Sequence, residues 1–330
     1  MDKSSYNSLL KIKTFEEAAK EEMRYIKGRM DGSIKSLRTG WKKFNQVSMN
    51  GIEWGNIITI AGLSGSGKTT MLNELETMLF EYNPEEEFVV LSFNFEMLAR
   101  RLIGRKLSKH LEKPVKDLYS ANIENLKGNI NKEEFKSAQE YFRTISKTTP
   151  VYYVDMPGTA NEIEKTIFEF SQRPDIKGKG ILITLDHSIL VKKTPKKNQQ
   201  ESLYDLAFTF NKLKKQIKSA FIIVSQLNRS IEDKERKLNP ELHFPCKADI
   251  FGADALYQYS DMVIVPHRPE MLGISQYGPY GLPVKDVIYM HYLKVRDGEP
   301  CFTKMINDLK HNRILEEPPT NKIGWGTGGF

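Results

Sequence analysis

Eight residues, Gly62-Leu63-Ser64-Gly65-Ser66-Gly67-Lys68-Thr69, carry the spacing G-x-x-x-x-G-K-[ST] between a short apolar run and a helical pattern. Glycines at these places let a loop fold back so that its backbone N–H groups, with the N-terminus of the following helix, surround phosphate oxygens. Lys68 would neutralise the β- and γ-phosphates, and the Thr69 hydroxyl would ligate Mg²⁺. Gly62, Ser64, Gly65, Ser66, Gly67, Lys68, Thr69 and Thr70 are therefore the expected contacts of ATP with Mg²⁺. The alternative is a glycine-rich turn that binds nothing, and the complete motif in register between strand and helix speaks against it.

A phosphate loop needs a second strand to bring a carboxylate to the metal. Ile181-Leu182-Ile183-Thr184-Leu185-Asp186 is an apolar run ending in an acid. Alone, Asp186 would read as a strand-end turn former; beside Lys68 and Thr69 it is the expected Mg²⁺-associated acid. Residues 88–95 form another apolar run, and Glu96 follows it. A glutamate there can deprotonate or align the attacking water, although an acid at a helix start is also favoured by the helix dipole. Gln226 ends the run Phe221-Ile222-Ile223-Val224-Ser225 and can hydrogen-bond a γ-phosphate or its water, with capping or loop bonding as the other reading.

These groups converge only if the strands that end in them lie side by side. Apolar runs at 56–61, 88–95, 151–155, 180–186, 220–226, 261–266 and 287–295 alternate with helical patterns. That alternation predicts an α/β fold with a mostly parallel central sheet flanked by helices, whose ligands sit at the carboxyl ends of the strands. Thr159-Ala160-Asn161-Glu162 fits a capping box at a helix start. A helix over 15–37 carries Ala18, Ala19, Met23, Ile26 and Met30 as an apolar stripe. The expected layout is an N-terminal extension over 1–50 with that helix, a motor core over 51–312, and a flexible tail over 313–330 ending Gly326-Thr327-Gly328-Gly329-Phe330.

The chain has 330 residues, enough for one sizeable core, and its 39% hydrophobic and 28% charged residues exclude disordered and fibrous classes. No apolar stretch approaches the ~20 residues of a membrane span. The start, Met1-Asp2-Lys3-Ser4-Ser5, lacks a secretory core, and Cys246 and Cys301 are too few for a disulfide framework, so a cytoplasmic protein is expected. The formal net charge is +7, with Lys192, Lys193, Lys196 and Lys197 crowding one loop and Lys212, Lys214, Lys215 and Lys218 on the next predicted helix. A polyanion site and a solvated loop and helix face both fit that distribution.

Thr39-Gly40-Trp41, the approach Gly51…Gly55, Ser92-Phe93-Asn94-Phe95-Glu96-Met97, Leu185-Asp186-His187, Ser225-Gln226-Leu227-Asn228-Arg229-Ser230, Asp249…Gln258…Asp261 and Lys294-Val295-Arg296-Asp297-Gly298 follow one another along the chain. In order and approximate spacing they resemble the motor domain of DnaB-type replicative DNA helicases, over residues 15–310. The resemblance implies a RecA-like P-loop ATPase that forms a ring, a hexamer in the family, translocates on single-stranded DNA and unwinds forked duplex. It implies Lys68 and Glu96 as catalytic residues, Gln226 as the γ-phosphate sensor, and Lys294 with Arg296 as a pair inserted into a neighbour's ATP site. The i, i+2 spacing of Lys294 and Arg296 puts them on one face of a strand; exposed basic residues on a hairpin are the plainer reading. A trans-acting arginine stabilises charge on the transferred phosphoryl group.

The sequence also departs from that family. Only about sixty residues precede the phosphate loop, so the large amino-terminal domain is not expected, nor is primase binding in the usual manner. Residues 15–37 resemble the linker helix that packs on an adjacent subunit, with docking on its own domain as the alternative. Where cellular relatives carry an Arg-Glu pair, this chain has Ile250-Phe251-Gly252-Ala253. DNA contact is therefore expected from Lys192, Lys193, Lys196, Lys197, Arg229, Lys234, Arg236 and Lys247, by neutralising the phosphate backbone. Phe251 either stacks on a base or anchors the loop. The implied partners are single-stranded and forked DNA, further copies of the chain, and a primase, helicase loader or DNA polymerase. The compact layout suggests a phage or mobile element acting in a host cytoplasm. The rival function is a RecA-like, ATP-dependent single-stranded DNA-binding recombination protein without unwinding activity. A non-catalytic ring component is a third reading, against which the set Lys68, Thr69, Glu96 and Asp186 weighs.

Overall fold

The computed structural model describes residues 12–120 and 129–318, and for Ala253 the backbone only. The chain divides into two compact units, Met1–Ser36 and Leu37–Phe330. The first holds helix α1 (Phe15–Asp31), opened by a capping box in which Thr14 and Glu17 satisfy each other's backbone N–H groups. It stops short of residue 37 because Gly32 takes the left-handed conformation, φ 75°, that ends helices. Phe15, Met23, Ile26 and Met30 are exposed on it.

The second unit is built on one nine-stranded sheet. Its strands are β1 (Ile57–Gly62), β2 (Phe88–Asn94), β3 (Val151–Val154), β4 (Gly180–Asp186), β5 (Ser219–Gln226), β6 (Met262–His267), β7 (Val287–Val295), β8 (Cys301–Asp308) and β9 (Arg313–Glu316), in the order β3-β2-β4-β5-β1-β6-β7-β8-β9. The six strands from β3 to β6 run parallel, and β7, β8 and β9 pair antiparallel at one side. Strands β1, β2, β4 and β6 are buried along their whole length. That matches their continuous apolar sequences, since a parallel sheet is covered on both faces. Helices α2 (Lys42–Val47) and α3 (Lys68–Tyr82) pack on one face. Helices α4 (Ala99–Leu111), α5 (Val115–Tyr119) and α6 (Lys132–Thr148) follow outside α3. Helices α7 (Ala160–Gln172) and α8 (Gln199–Leu213) cover the other face, and α9 (Lys234–Leu238) and α10 (Ala253–Tyr259) lie between β5 and β6 in sequence. The capping box expected at Thr159 opens α7.

Both expected boundaries move. Residues 37–50 belong to the core rather than to an extension: Leu37, Trp41 and Phe44 are buried in it, and Leu37 bridges to Ile52. Residues 313–316 are not tail but strand β9, paired to β8 and tied back to the start of the unit. Trp41 Nε1 donates to the Ile314 carbonyl at 2.9 Å, and Glu316 accepts from the backbone N–H groups of Lys42 and Lys43 at 2.8 and 2.7 Å. Strand β8 escapes a reading of apolar runs because it is mostly half-buried and mixes Thr303, Lys304 and Asn307 with its apolar residues. The glycine-rich end and Phe330 lie outside the described residues.

Candidate active site

The phosphate loop joins β1 to α3 at the carboxyl edge of the sheet. Gly65 and Gly67 have φ of 78° and 101°, a region costly for residues with a Cβ. A Cβ on Gly62 would lie 2.4 Å from Ser66 Oγ, so only glycine lets the loop close on itself there. Lys68 is buried and its Nζ donates to the carbonyls of Gly62 and Leu63 at 2.7 and 2.8 Å. Thr69 Oγ1 donates to Asp186 Oδ2 at 2.7 Å, placing the end of β4 against the first turn of α3.

Burial sets the electrostatics. It lowers the Lys68 ammonium to about 8, against the opposing charges of Asp186 and Glu96. It raises the Asp186 carboxyl to about 6, against the Thr69 hydrogen bond and Lys68. Among the described residues Asp186 Oδ1 and Ser66 Oγ, both buried, find no hydrogen-bond partner. A pocket that under-solvates an amine and a carboxylate and leaves a carboxylate oxygen beside a threonine hydroxyl fits a polyanion with a hard divalent cation. The cavity in front of them measures about 420 Å³ and is lined by Ser64, Gly65, Gly67, Lys68, Thr69, Thr70, Glu96 and Gln226. Gly62 and Ser66 shape the loop from behind.

Glu96 stands exposed at the mouth just after β2. Its Oε2 is 3.4 Å from His187 Nε2, which in turn is 3.2 Å from Gln226 Nε2. The ends of β2, β4 and β5 are thus joined side chain to side chain, as neighbouring parallel strands permit. Burial holds the His187 imidazole below its ordinary range, with Glu96 opposing.

Three features of the pocket escape sequence reading. Arg105, two turns into α4, faces Asp186 and Glu96 and lines the cavity. Arg268 donates to the Gly65 carbonyl at 2.9 Å and pairs with Glu270. Leu309, Lys310 and Asn312, between β8 and β9, close one side. Arg268 directly follows β6, so its place at the carboxyl edge of a parallel strand was a usable signal. Arg105 and the 309–312 turn carry none, since tertiary packing alone brings them in.

Lys294 and Arg296 are not in this pocket. They lie at the opposite edge, where β6 and β1 begin: Arg296 Nε meets Asp261 Oδ1 at 2.6 Å, and Asp261 Oδ2 accepts from Ile57 N at 2.8 Å. Lys294 Nζ donates to the carbonyls of Tyr257 and Gln258, at 2.6 and 3.3 Å, at the end of α10. The register shift between Val263 and Ile264 opposite this stretch of β7 is a bulge, a device that re-aims side chains.

The model of the DnaB-like helicase C-terminal domain matches residues 36–311. The chain belongs to this family. Among curated proteins, it is 25% identical over 262 residues to the replicative DNA helicase DnaB of Mycoplasma genitalium, covering 77% of this chain and 52% of that protein. It is 26% identical over 244 residues to the replicative DNA helicase DnaB of Buchnera aphidicola subsp. Baizongia pistaciae, covering 72% and 48%. The chain thus spans about half the length of the curated relatives it matches. Among solved structures, the ATPase domain of G40P superposes with a TM-score of 0.75 at 16% identity, over 93% of this chain and 100% of that one. A DnaB-like replicative helicase whose interactions with primase are described in the same work has a TM-score of 0.75 at 16% identity, over 92% and 69%. These two likenesses carry the RecA-like fold.

In this DnaB-like helicase domain the two basic loops leave the carboxyl ends of β4 and β5. Lys192, Lys193 and Lys196 are exposed in the first, while Lys197 is held by both oxygens of Asp205 at 2.8 and 2.7 Å. Arg229 and Lys234 are exposed in the second, and Lys247 stands 3.5 Å from Asp254. Phe251 is half-buried. Arg236 corrects the expectation that it neutralises DNA. Its guanidinium pairs with the buried carboxylate of Asp249 and donates to the carbonyls of Leu242 and Phe244, each at 2.9 Å. All its directional bonds serve the fold of residues 228–250. Among the described residues no helix is long and apolar enough to cross a membrane.

Proposed function

We propose that this chain is an ATP-driven replicative DNA helicase motor that works as a ring, a hexamer by family resemblance, moving along single-stranded DNA and parting the duplex ahead. The observation that carries the reading is the placement of Lys294 and Arg296 at the amino edge of the sheet, away from the phosphate loop of their own chain. Strand β1 alone, six residues from Ile57 to Gly62, separates the two edges by roughly 20 Å. An arginine there can serve an ATP site only in another copy, and head-to-tail repetition of such a contact generates a ring when its rotation closes, as the family resemblance implies.

In each site the loop N–H groups and Lys68 would hold the β- and γ-phosphates, and Thr69 with Asp186 would hold Mg²⁺. The ion supplies charge neutralisation on the phosphates. Glu96 takes the proton of the attacking water or aligns it, and the neighbour's Arg296 stabilises the charge that develops on the phosphoryl oxygens. Gln226, through His187, ties γ-phosphate occupancy to the loop that begins at Leu227. Lys192, Lys193, Lys196, Arg229 and Lys234 would neutralise the DNA backbone in the central channel, with Lys197 and Lys247 contributing once they leave their acidic partners. The exposed stripe on α1 would pack on an adjacent subunit. A primase, loader or polymerase partner, and work in a cytoplasm, follow from the replicative role. The family membership weighs against the recombination-protein alternative.

The test mixes Lys68→Ala subunits, expected not to hydrolyse ATP, with Arg296→Ala subunits, expected to hydrolyse it poorly. Pairing an intact Lys68 with an intact Arg296 across an interface should restore ATPase activity in a ratio-dependent way. Activity that stays additive after verified subunit exchange would remove the ring mechanism. Unwinding of a fork without strand exchange on the same preparation separates the helicase from its rival.

A further inference from the structure

Asp261 has no part in the chemistry described so far, yet it is the hub of the amino edge of the sheet. It is buried, and its two oxygens are divided between scaffold and surface. Oδ2 accepts from Ile57 N at 2.8 Å and from Lys214 Nζ at 3.1 Å, which fixes the carboxylate to the first residue of β1 and to the end of α8. Oδ1 meets Arg296 Nε at 2.6 Å, and the Arg296 backbone N–H donates to the Asp261 carbonyl at 2.8 Å. Arg296 is therefore gripped at its backbone and at the near nitrogen of its guanidinium. Its contact with Asp261 is an ion pair; among the described residues its side chain makes no hydrogen bond, and it is 54% exposed. An ion pair made at Nε leaves both terminal NH₂ groups without a partner among the described residues, and that fork is the part of a guanidinium that suits a phosphate.

The same carboxylate is what lets several cations crowd here. Lys294 feels the charges of Arg296, Lys247 and Lys214 beside that of Asp261, and its ammonium and that of Lys247 both approach the Tyr257 ring. Burial and these neighbouring cations pull the Lys294 ammonium down, and Asp261 opposes them. A cluster of this sign at a subunit edge suits a neighbour's triphosphate.

We propose that Asp261 is a positioning residue for hydrolysis in the adjacent subunit: it clamps Arg296 by Nε so that the free face of the guanidinium is aimed outward before a neighbour's ATP arrives. This rests on the reading that Arg296 acts in trans. A loose arginine samples many rotamers, and only the aimed fraction stabilises the transition state, so the clamp converts conformational freedom into rate. Binding of ATP, which relies on the phosphate loop at the other edge, is not what the clamp controls.

The test is the full-length chain assembled on single-stranded DNA, assayed for steady-state ATPase with Asp261→Asn, Arg296→Ala and the double variant. Asp261→Asn should lower kcat about tenfold or more while KM for ATP changes little. In the Arg296→Ala background the same substitution should slow hydrolysis no further, because the group it positions is gone. Asp261→Asn turning over at the parent rate would overturn the proposal, as would an equal slowing in both backgrounds, which marks a merely structural role. If Asp261→Asn melts below the assay temperature, Asp261→Glu carries the same comparison, since it keeps an acceptor for Ile57 but displaces the oxygen that meets Arg296. The two ideas fail differently. Parent-like turnover by Arg296→Ala would sink the trans reading itself, whereas a slow Arg296→Ala beside a fast Asp261→Asn would sink only the clamp.

Discussion

Replacing Arg236 with alanine separates a structural arginine from a DNA-binding one. In the folded chain its guanidinium neutralises Asp249, whose side chain is 3% exposed, and supports the carbonyls of Leu242 and Phe244. After the change Asp249 keeps only the Cys246 backbone N–H at 2.8 Å and becomes a buried carboxylate without a cation. Breaking a buried pair from one side costs about 3–5 kcal/mol. Because the Arg236 side chain is 17% exposed and water can reach part of the gap, the lower end, about 3 kcal/mol, is expected. Urea unfolding at fixed protein concentration should show that loss, and Asp249→Asn in the Arg236→Ala background should recover part of it by removing the stranded charge. Single-stranded DNA affinity measured against salt should keep its slope. An unchanged unfolding midpoint with a slope reduced by about 0.7, the value for one lost phosphate contact, would return Arg236 to the DNA surface and refute the reasoning.

Glu96→Gln should bind nucleotide like the parent and hydrolyse it about 10²–10⁴ times more slowly, whereas Lys68→Ala should also lose binding; near-parent turnover by Glu96→Gln would place the base elsewhere. Neutralising Lys192, Lys193, Lys196 and Lys197 together should flatten the salt slope of single-stranded DNA binding by about 2 for the three unpaired lysines, and by about 3 if Lys197 leaves Asp205 to join them. An unchanged slope would put that loop on the outer surface. His267 is buried, and burial together with Arg236 and His243 holds its imidazole at about 4 rather than its ordinary 6.5, with Asp249 opposing. Between those values the unfolded chain binds a proton that the folded one refuses, so stability is complete above pH 6.5 and falls as pH drops towards 4. His267 should contribute about 3 kcal/mol of that loss, and His267→Phe should remove its share while leaving that of His291, which burial also holds down, as followed by chemical unfolding across that range.

The phosphate loop, Asp186, Glu96 and Gln226 were legible because each stands immediately after an apolar run. In a parallel sheet covered on both faces, that position is the carboxyl edge where ligands bind. Strands β4 and β7 were legible to the residue because their burial is nearly continuous and their sequences say so. The antiparallel margin was not. Strand β8 is half-buried and strand β9 is only four residues long, so neither leaves a run distinct from a loop. Residues 37–50 read as turn-rich extension because Leu37, Trp41 and Phe44 are interleaved with Arg38, Gly40, Lys42 and Lys43, which hides that all three enter one core.

Sequence by itself determined the fold class, the nucleotide-binding chemistry and the strand ends that carry it, since local spacing fixes which side chains emerge at which edge. It also supplied the cations around the site, but not their occupations. Tertiary structure alone decided that Arg236 neutralises a buried aspartate, that Lys197 answers Asp205, that Arg105 reaches the nucleotide pocket, and that Asp261 grips Arg296 at the far edge of the sheet. The physical reason is that a charge is assigned by what lies within a few ångströms of it. For Arg236 and Asp249 those partners are 13 residues apart, for Arg296 and Asp261 they flank the paired ends of β7 and β6, and for Arg268 and Gly65 they are 203 residues apart. Distances of that kind are set by how the sheet orders its strands, and no run, spacing or charge count along the chain encodes them.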